Sequence, residues 1–260
     1  MKCSEIINLL ESEYPKSCAE DWDNPGLLAG DENAEIKSIL VALDATDETT
    51  QQAVDGGFDM LITHHPLIFG SIKQINNSTI VGRRLLKLIG NHVTYYAMHT
   101  NFDVRGMAQL NEEQIGLVNA GVLSQTGEEN GEPEGIGRVG DLKTPMDYRS
   151  FAGYVKDCLE IESVRCYGMC DEIISRVAIS GGSGKSVAGD AIKAGAQVLI
   201  TGDIDYHAGI DAAAQGLYII DAGHFGTEKI FMDYMTEKLK KLLPQCRVEK
   251  AEQKPPFETL

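Results

Sequence analysis

Short apolar runs alternate with polar, glycine-punctuated segments along the chain. Met60, Leu61 and Ile62 form one such run, within FDMLITHHPLIF (Phe58 to Phe69) and bounded by Gly57 and Pro66. A run of that length, closed by chain breakers, predicts a strand buried on both faces of an α/β sheet. Ser38 to Thr46 (SILVALDAT) predicts a second buried strand, and Asp47 to Gly57 a helix closed by glycines. Upstream, Ser4 reads as the N-cap of a helix bearing Ile6, Ile7, Leu9 and Leu10, which Pro15 stops. Asp21 to Gly30 (DWDNPGLLAG) is a turn-rich loop entering a short apolar stretch. Val81 to Ile89 predicts a helix, Val93 to Asp103 (VTYYAMHTNFD) a strand reaching His99 and Asp103, and Asn111 to Gly116 a helical piece.

The most polar, glycine-rich stretch, Gln125 to Glu134, is the expected boundary between lobes, giving 1-125 and 126-260. Beyond it, IGRVGDL reads as a short strand with a glycine bend, Pro145 to Ile161 as a helix and SVRCYG as a strand. Thr227 is expected to cap a last helix, Glu228 to Leu243, whose apolar stripe is Ile230, Phe231, Tyr234, Leu239 and Leu242. Pro244 ends it, and AEQKPPFETL reads as a loosely held tail. Strands alternating with helices predict an α/β fold.

The second half echoes the first. At a shift of 138, SILVALDAT falls on RVAISGGSG (Arg176 to Gly184), Gly57 on Gly195, and Met60-Leu61-Ile62-Thr63 on Val198-Leu199-Ile200-Thr201. A third strand in each half ends in a histidine four residues before a carboxylate: His99 and Asp103, then His224 and Glu228, at a shift of 125. Internal similarity of this kind predicts two similar α/β lobes related by duplication. Ligands of open α/β sheets gather beyond the carboxyl ends of strands. Lobes that face each other would then place a metal cleft between them at those ends.

The residues at the strand ends have the chemistry for it. Neutral imidazole is a common ligand of zinc and related ions. Adjacent side chains on a regular strand point to opposite faces, but where the chain turns before Pro66, His64 and His65 can diverge onto two ions. Three or more histidines with Asp103 and Glu228 suit a pair of divalent ions, and a carboxylate can bridge them. Blander readings exist for each. His64 and His65 can be loop histidines, and His99 a buried histidine donating to a carbonyl or a group orienting Asp103. Asp103 can be a helix N-cap and Glu228 a first-turn acid favoured by the helix dipole. His207, in GDIDYHAGIDAAAQG, is expected at the start of a helix, near substrate rather than on a metal; His92 reads as surface. The glycine-rich ISGGSGKS (Ile179 to Ser186) lacks the GxxxxGK[ST] spacing, so it is read as a tight turn rather than a phosphate loop.

Composition narrows the class. The chain has 260 residues, 43% hydrophobic and 24% charged, as an ordinary globular protein does. Its net charge of -16 and pI near 4.7 disfavour nucleic acid and anionic membranes. No secretory leader and no membrane span is read in the sequence. The six cysteines, of which Cys166 and Cys170 are closest, complete no zinc quartet and read as reduced thiols of a cytoplasmic protein.

Taken in order, DNPGLL, ITHHPLIF, HTNFD, GGSG, TGDIDYH and GHFGTE resemble the Nif-three-like dinuclear-metal proteins, catalogued as GTP cyclohydrolase I type 2 homologues. The resemblance runs from about Ser4 to about Val248. It implies two similar α/β lobes and a toroidal homohexamer. Ligand roles carry over to His64, His65, Asp103, His224 and Glu228, with Glu228 bridging. Two divalent ions per chain are implied, zinc, iron or manganese. The catalogue name implies nucleotide ring opening, so the expected function is metal-dependent hydrolysis of a nucleotide-like or phosphorylated small molecule. His99 or His207 would shuttle protons. The rival is a non-catalytic metal-binding regulatory or interaction protein; a purely structural metal site ranks behind both.

Overall fold

The computed structural model describes residues 1–168 and 171–259. In chain order its elements are α1 (Cys3–Glu13), β1 (Gly26–Ala29), β2 (Ser38–Ala42), α2 (Asp47–Asp55), β3 (Met60–Thr63), α3 (Ile80–Gly90), β4 (Thr94–Ala97) and the single turn α4 (Thr100–Phe102). A π-helical turn (Asp103–Met107) leads into α5 (Ala108–Ile115), β5 (Leu117–Glu129), β6 (Glu132–Asp147), α6 (Tyr148–Leu159), β7 (Arg165–Tyr167) and β8 (Ile173–Ser183). Then follow α7 (Ala188–Lys193), β9 (Val198–Gly202), α8 (Tyr206–Ala214), β10 (Tyr218–Asp221), α9 (His224–Glu228), α10 (Ile230–Leu242) and β11 (Arg247–Lys250). The fold is α/β, in two compact units. One comprises Met1–Phe102 with Ile230–Lys254; the other runs from Asp103 to Lys229 and includes the tail from Pro255.

The first unit holds a five-stranded sheet, order β1-β4-β3-β2-β11. β11, β2, β3 and β4 run parallel and β1 is antiparallel at the edge. Every residue of β2, β3 and β4 is buried, which is why these strands read as continuous apolar runs. Leu40, Leu61 and Tyr95 pack with Ala53, Phe58 and Leu88. The second unit holds a six-stranded sheet, order β5-β6-β8-β9-β10-β7. Here Val177, Ile179, Val198, Ile200 and Ile220 pack with Phe151, Val155 and Leu159 of α6. The alternate residues Ala178, Leu199 and Ile219 pack with Ala191 and Ala212. Successive strand residues thus feed opposite faces, each covered by helices.

The duplication extends to individual bonds. Ile39 pairs with Met60 and, 138 residues on, Val177 pairs with Val198. Phe58 N–H donates to Ala53 O at 3.0 Å, and Ala196 N–H to Ala191 O at 3.0 Å. Asp59 Oδ2 accepts from Lys37 N, Ser38 N and Ser38 Oγ at 2.8, 2.9 and 2.8 Å. At the matching place Gln197 Oε1 accepts from Ser175 N, Ser175 Oγ and Arg176 N. Each clamp ties the start of one parallel strand to the start of the next. In the third strands Thr94 pairs with Met60 and Tyr218 with Val198, a shift of 124. One residue, Gly223 at φ 75°, is therefore added before His224.

Several expectations change. Gln125 to Glu134 forms no linker: it lies within the β5–β6 hairpin, whose tip is Asn130-Gly131, both at positive φ. Asn-Gly between paired strands is a strong hairpin signal that the polar composition masked. The strand expected to reach Asp103 stops at Ala97, because the next segment turns: Phe102 N–H donates to His99 O and His99 N–H to Asn101 Oδ1. Ser4 lies inside α1, whose first free amide, Lys2 N–H, donates to Glu5. Thr227 caps nothing new, since helix begins at His224; its hydroxyl accepts from Gly182 N–H instead. The tail is anchored as far as Gln253, whose Oε1 accepts from Leu43 N at 2.9 Å and whose Nε2 donates to Asp44. Cys170 lies outside the described residues, and Cys166 is an exposed free thiol. Among the described residues no helix is long and apolar enough to cross a membrane.

Asp59→Ala removes three accepted hydrogen bonds at the start of β2. It should cost about 2 kcal/mol, lowering Tm by about 4–8 °C. Asp59→Asn, which supplies the amide oxygen that Gln197 uses in the second unit, should recover most of that in the same calorimetric scan.

Candidate metal centre

In the first unit, β3 delivers His64 and His65 directly past its carboxyl end, and β4 delivers His99 two residues past its own. The turn after β3 is set by its hydrogen bonds. Thr63 Oγ1 donates to His65 O at 2.7 Å, Tyr95 OH donates to the same carbonyl at 3.0 Å, and Leu67 N–H donates to Tyr95 OH at 2.8 Å. Burial pushes the Tyr95 phenol well above its ordinary range, so it remains a donor. One ring nitrogen from each of His64, His65 and His99 lies within 4.8 Å of the others.

Each of these imidazoles is held by its Nδ1. His64 Nδ1 donates to Met98 O at 2.8 Å, His65 Nδ1 to Asp44 Oδ1 at 2.7 Å, and His99 Nδ1 to Asp23 Oδ1 at 2.8 Å. A histidine with its N–H committed on Nδ1 carries its lone pair on Nε2, the arrangement of metal-binding imidazoles. Asp44 is itself aimed by Gln253 Nε2 at 2.7 Å. Burial would raise the Asp23 carboxyl, but hydrogen bonds from His99 and Thr100 outweigh it and hold Asp23 at about 2.

In the second unit, α9 begins at His224 and places Glu228 one turn on, on the same face. His224 Nδ1 donates to Asp203 Oδ2 at 3.0 Å, and its Nε2 lies 3.2 Å from Glu228 Oε2. Neighbouring donors of a tetrahedral ion, with bonds of about 2.0–2.1 Å, stand about 3.3 Å apart. A carboxylate oxygen of Asp103, from the π-helical turn, comes within 4.8 Å of one of Glu228. Glu228 is therefore next to both. The backbone makes room for it at Gly182, at φ 60°: a Cβ there would sit 2.4 Å from Glu228 Oε1 and 3.2 Å from His224 Nε2. The GGSG segment thus serves as the floor beneath two donor groups. Imidazole nitrogens, oriented carboxylates and a side-chain-free floor fit divalent ions that take nitrogen and oxygen donors.

Comparison with known proteins identifies the family. The family model described as Duf34/NIF3 (NGG1p interacting factor 3) matches residues 1–256. The chain belongs to the Duf34/NIF3 family. A relative in Clostridium perfringens, named GTP cyclohydrolase 1 type 2 homolog, is 37% identical over 263 residues, covering 99% of each chain. One of the same name in Streptococcus pneumoniae is 35% identical, covering 96% of this chain and 93% of the relative. Among solved structures, a Bacillus cereus protein related to NIF3 superposes with a TM-score of 0.94 at 26% identity, covering 100% of this chain and 99% of that one.

Of the residues expected from sequence, this NIF3-family chain gathers His64, His65 and His99 in one unit and Asp103, His224 and Glu228 in the other. His99 meets the Asp23 carboxylate rather than the carbonyl weighed for it. His207 starts α8 as expected but is exposed, packed edge-on against Tyr206, and belongs to neither set. His92 is exposed at φ 58°. Sequence reasoning missed Asp23, Asp44, Asp203, Tyr95 and Gly182. Asp44 and Asp203 did carry a signal, since each lies just past the carboxyl end of a buried strand.

Gly182→Ala should leave far-UV CD unchanged and lower the affinity for added zinc by roughly tenfold or more, as losses of groups supporting metal ligands do. Unchanged zinc affinity in a competition titration would mean that the floor does not set the Glu228 position.

Proposed function

We propose that this NIF3-family protein is a metal-dependent hydrolase of a nucleotide-like or phosphorylated small molecule, with two divalent ions per chain. The observation that carries the reading is the donor chemistry at the strand ends: imidazoles anchored through Nδ1 in the first unit, and the His224–Glu228 pair over Gly182 in the second. The ions are zinc, iron or manganese. His64, His65, Asp103, His224 and Glu228 are the proposed ligands, with Glu228 bridging. Bound ions supply Lewis acidity, polarising the scissile group and easing deprotonation of water. The chain's own residues fix the donors, keep His64 wholly out of solvent, and offer His99 for proton handling. The names of the relatives favour a nucleotide ring as substrate. The acidic surface leaves nucleic acid outside the expected partners. The proposed setting is a cytoplasmic homohexamer.

The test is turnover by metal-loaded protein on a broad panel of nucleotides and phosphoesters. At least one member should be hydrolysed, activity should vanish with a chelator and return with metal, and His64→Ala should lower it roughly a hundredfold or more. A loaded protein that turns over nothing contradicts catalysis and supports the regulatory reading. The chelated protein should stay folded by CD, because each unit has its own apolar core; unfolding on chelation would point to a structural metal.

A further inference from the structure

We infer that Asp23 is the positioning residue of His99: it holds the imidazole N–H on Nδ1 and so makes Nε2 a hydrogen-bond acceptor beside the nitrogens of His64 and His65. This deepens the proposed hydrolase reading and rests on it for the use made of His99. The pairing itself stands on geometry within the first unit.

Asp23 comes from the loop before β1, 76 residues from His99. Its side chain has no exposed surface, a costly place for a carboxylate unless every lone pair is used. Here they are used. Oδ1 accepts from Asn24 N at 2.7 Å and from His99 Nδ1 at 2.8 Å. Oδ2 accepts from Thr100 N at 2.9 Å and from Thr100 Oγ1 at 2.6 Å. The Thr100 hydroxyl in turn accepts from Glu20 N–H at 2.9 Å, so its own hydrogen is committed to Asp23. Two backbone amides and a directed hydroxyl are donors whatever the histidine does. A carboxylate so surrounded acts only as an acceptor, and the tautomer of His99 follows: its N–H must be on Nδ1.

The pose of the ring is fixed as firmly as its tautomer. Trp22 and Phe69 stand edge-on to it, each with its centroid 5.7 Å away, at 76° and 82°. The backbone N–H of His99 donates to Asn101 Oδ1 at 2.9 Å, fixing the chain that carries the ring. A ring nitrogen of His99 lies within 4.8 Å of ring nitrogens of His64 and His65, and with Nδ1 committed to Asp23 the nitrogen left to accept is Nε2. His64 and His65 have the same handedness of use, Nδ1 to an acceptor, but His99 differs in lying under two exposed aromatic rings, Trp22 and Phe69. Those two exposed rings border the His99 imidazole on the solvent side, where an incoming molecule would first meet the protein. In hydrolysis, water would lose a proton to Nε2 as its oxygen bonds to the scissile centre. The leaving group would depart with the bonding electron pair and take that proton, returning His99 to its starting form. Asp23 would stabilise the intervening imidazolium without itself becoming protonated.

The tautomer is read directly by nitrogen NMR on protein labelled with [15N]histidine, which carries only six histidines; the His99→Gln spectrum assigns His99. Wild-type protein, loaded with cadmium-113, should show His99 with a protonated Nδ1, an unprotonated Nε2 and no cadmium splitting. Asp23→Ala should move the N–H to Nε2, or mix the two forms, with metal content unchanged. A wild-type His99 protonated on Nε2 overturns the inference, and so does an Asp23→Ala spectrum identical to wild type. Cadmium splitting on His99 Nε2 overturns it too, by making His99 a ligand. The wild-type spectrum decides even if the variant fails to fold. If the protein takes up no metal, the dinuclear reading falls while the tautomer is still read in the metal-free protein.

Discussion

An imidazole is useful to a metal only if one nitrogen is held and the other is left to the ion. The three proposed histidine ligands meet that condition through Nδ1, each with a different partner: Met98 O, Asp44 and Asp203; His99 is held in the same way by Asp23. Those partners are second-order products of the fold. Met98 O is where β4 leaves the sheet, Met98 N–H donating to Thr63 O at 2.9 Å. Asp44 follows β2 and is aimed by Gln253 from beyond β11. The parallel registers of β2, β3 and β4 therefore do more than bury apolar surface. They place three strand ends side by side, and the donors and acceptors at those ends orient the rings before any ion arrives.

The second unit solves the same problem with the same duplicated strands and different chemistry. Where the first unit has His64-His65, the second has Gly202-Asp203, and a Cβ at Gly202 would lie 2.5 Å from His224 N. Small residues at that place let α9 start close against the sheet. Glu228 is then buried, at 3% exposure, beside His224. Two close donors on one face of α9, one of them a buried carboxylate, are a pair that could hold a divalent ion.

Much of this was legible in the sequence, for identifiable reasons. Buried parallel strands are apolar throughout, so Met60–Thr63 and Val198–Gly202 announce themselves. The constant shift of 138 betrays the duplication because the βαβ register is conserved bond for bond between the halves. His64, His65 and His224–Glu228 stand out as polar chemistry at strand ends, and the family resemblance is borne out by the match over residues 1–256. What was not legible comes from distance. Asp23 is 76 residues from His99 and Gln253 is 209 from Asp44, and no local pattern predicts such pairs. The β5–β6 hairpin was legible in Asn130-Gly131, but the density of charged and glycine residues around it favours a loop reading.

The proposed dinuclear centre needs the anchored imidazoles of His64, His65 and His224, with Asp103 and Glu228, to bind two ions. Elemental analysis of protein purified without added metal, beside His64→Ala and Glu228→Ala, tests that most directly. Close to two divalent ions per chain in the native protein, lost in both variants, is the expected result. Well under one ion per chain, unchanged by either substitution and not restored by zinc, manganese or iron, would contradict it.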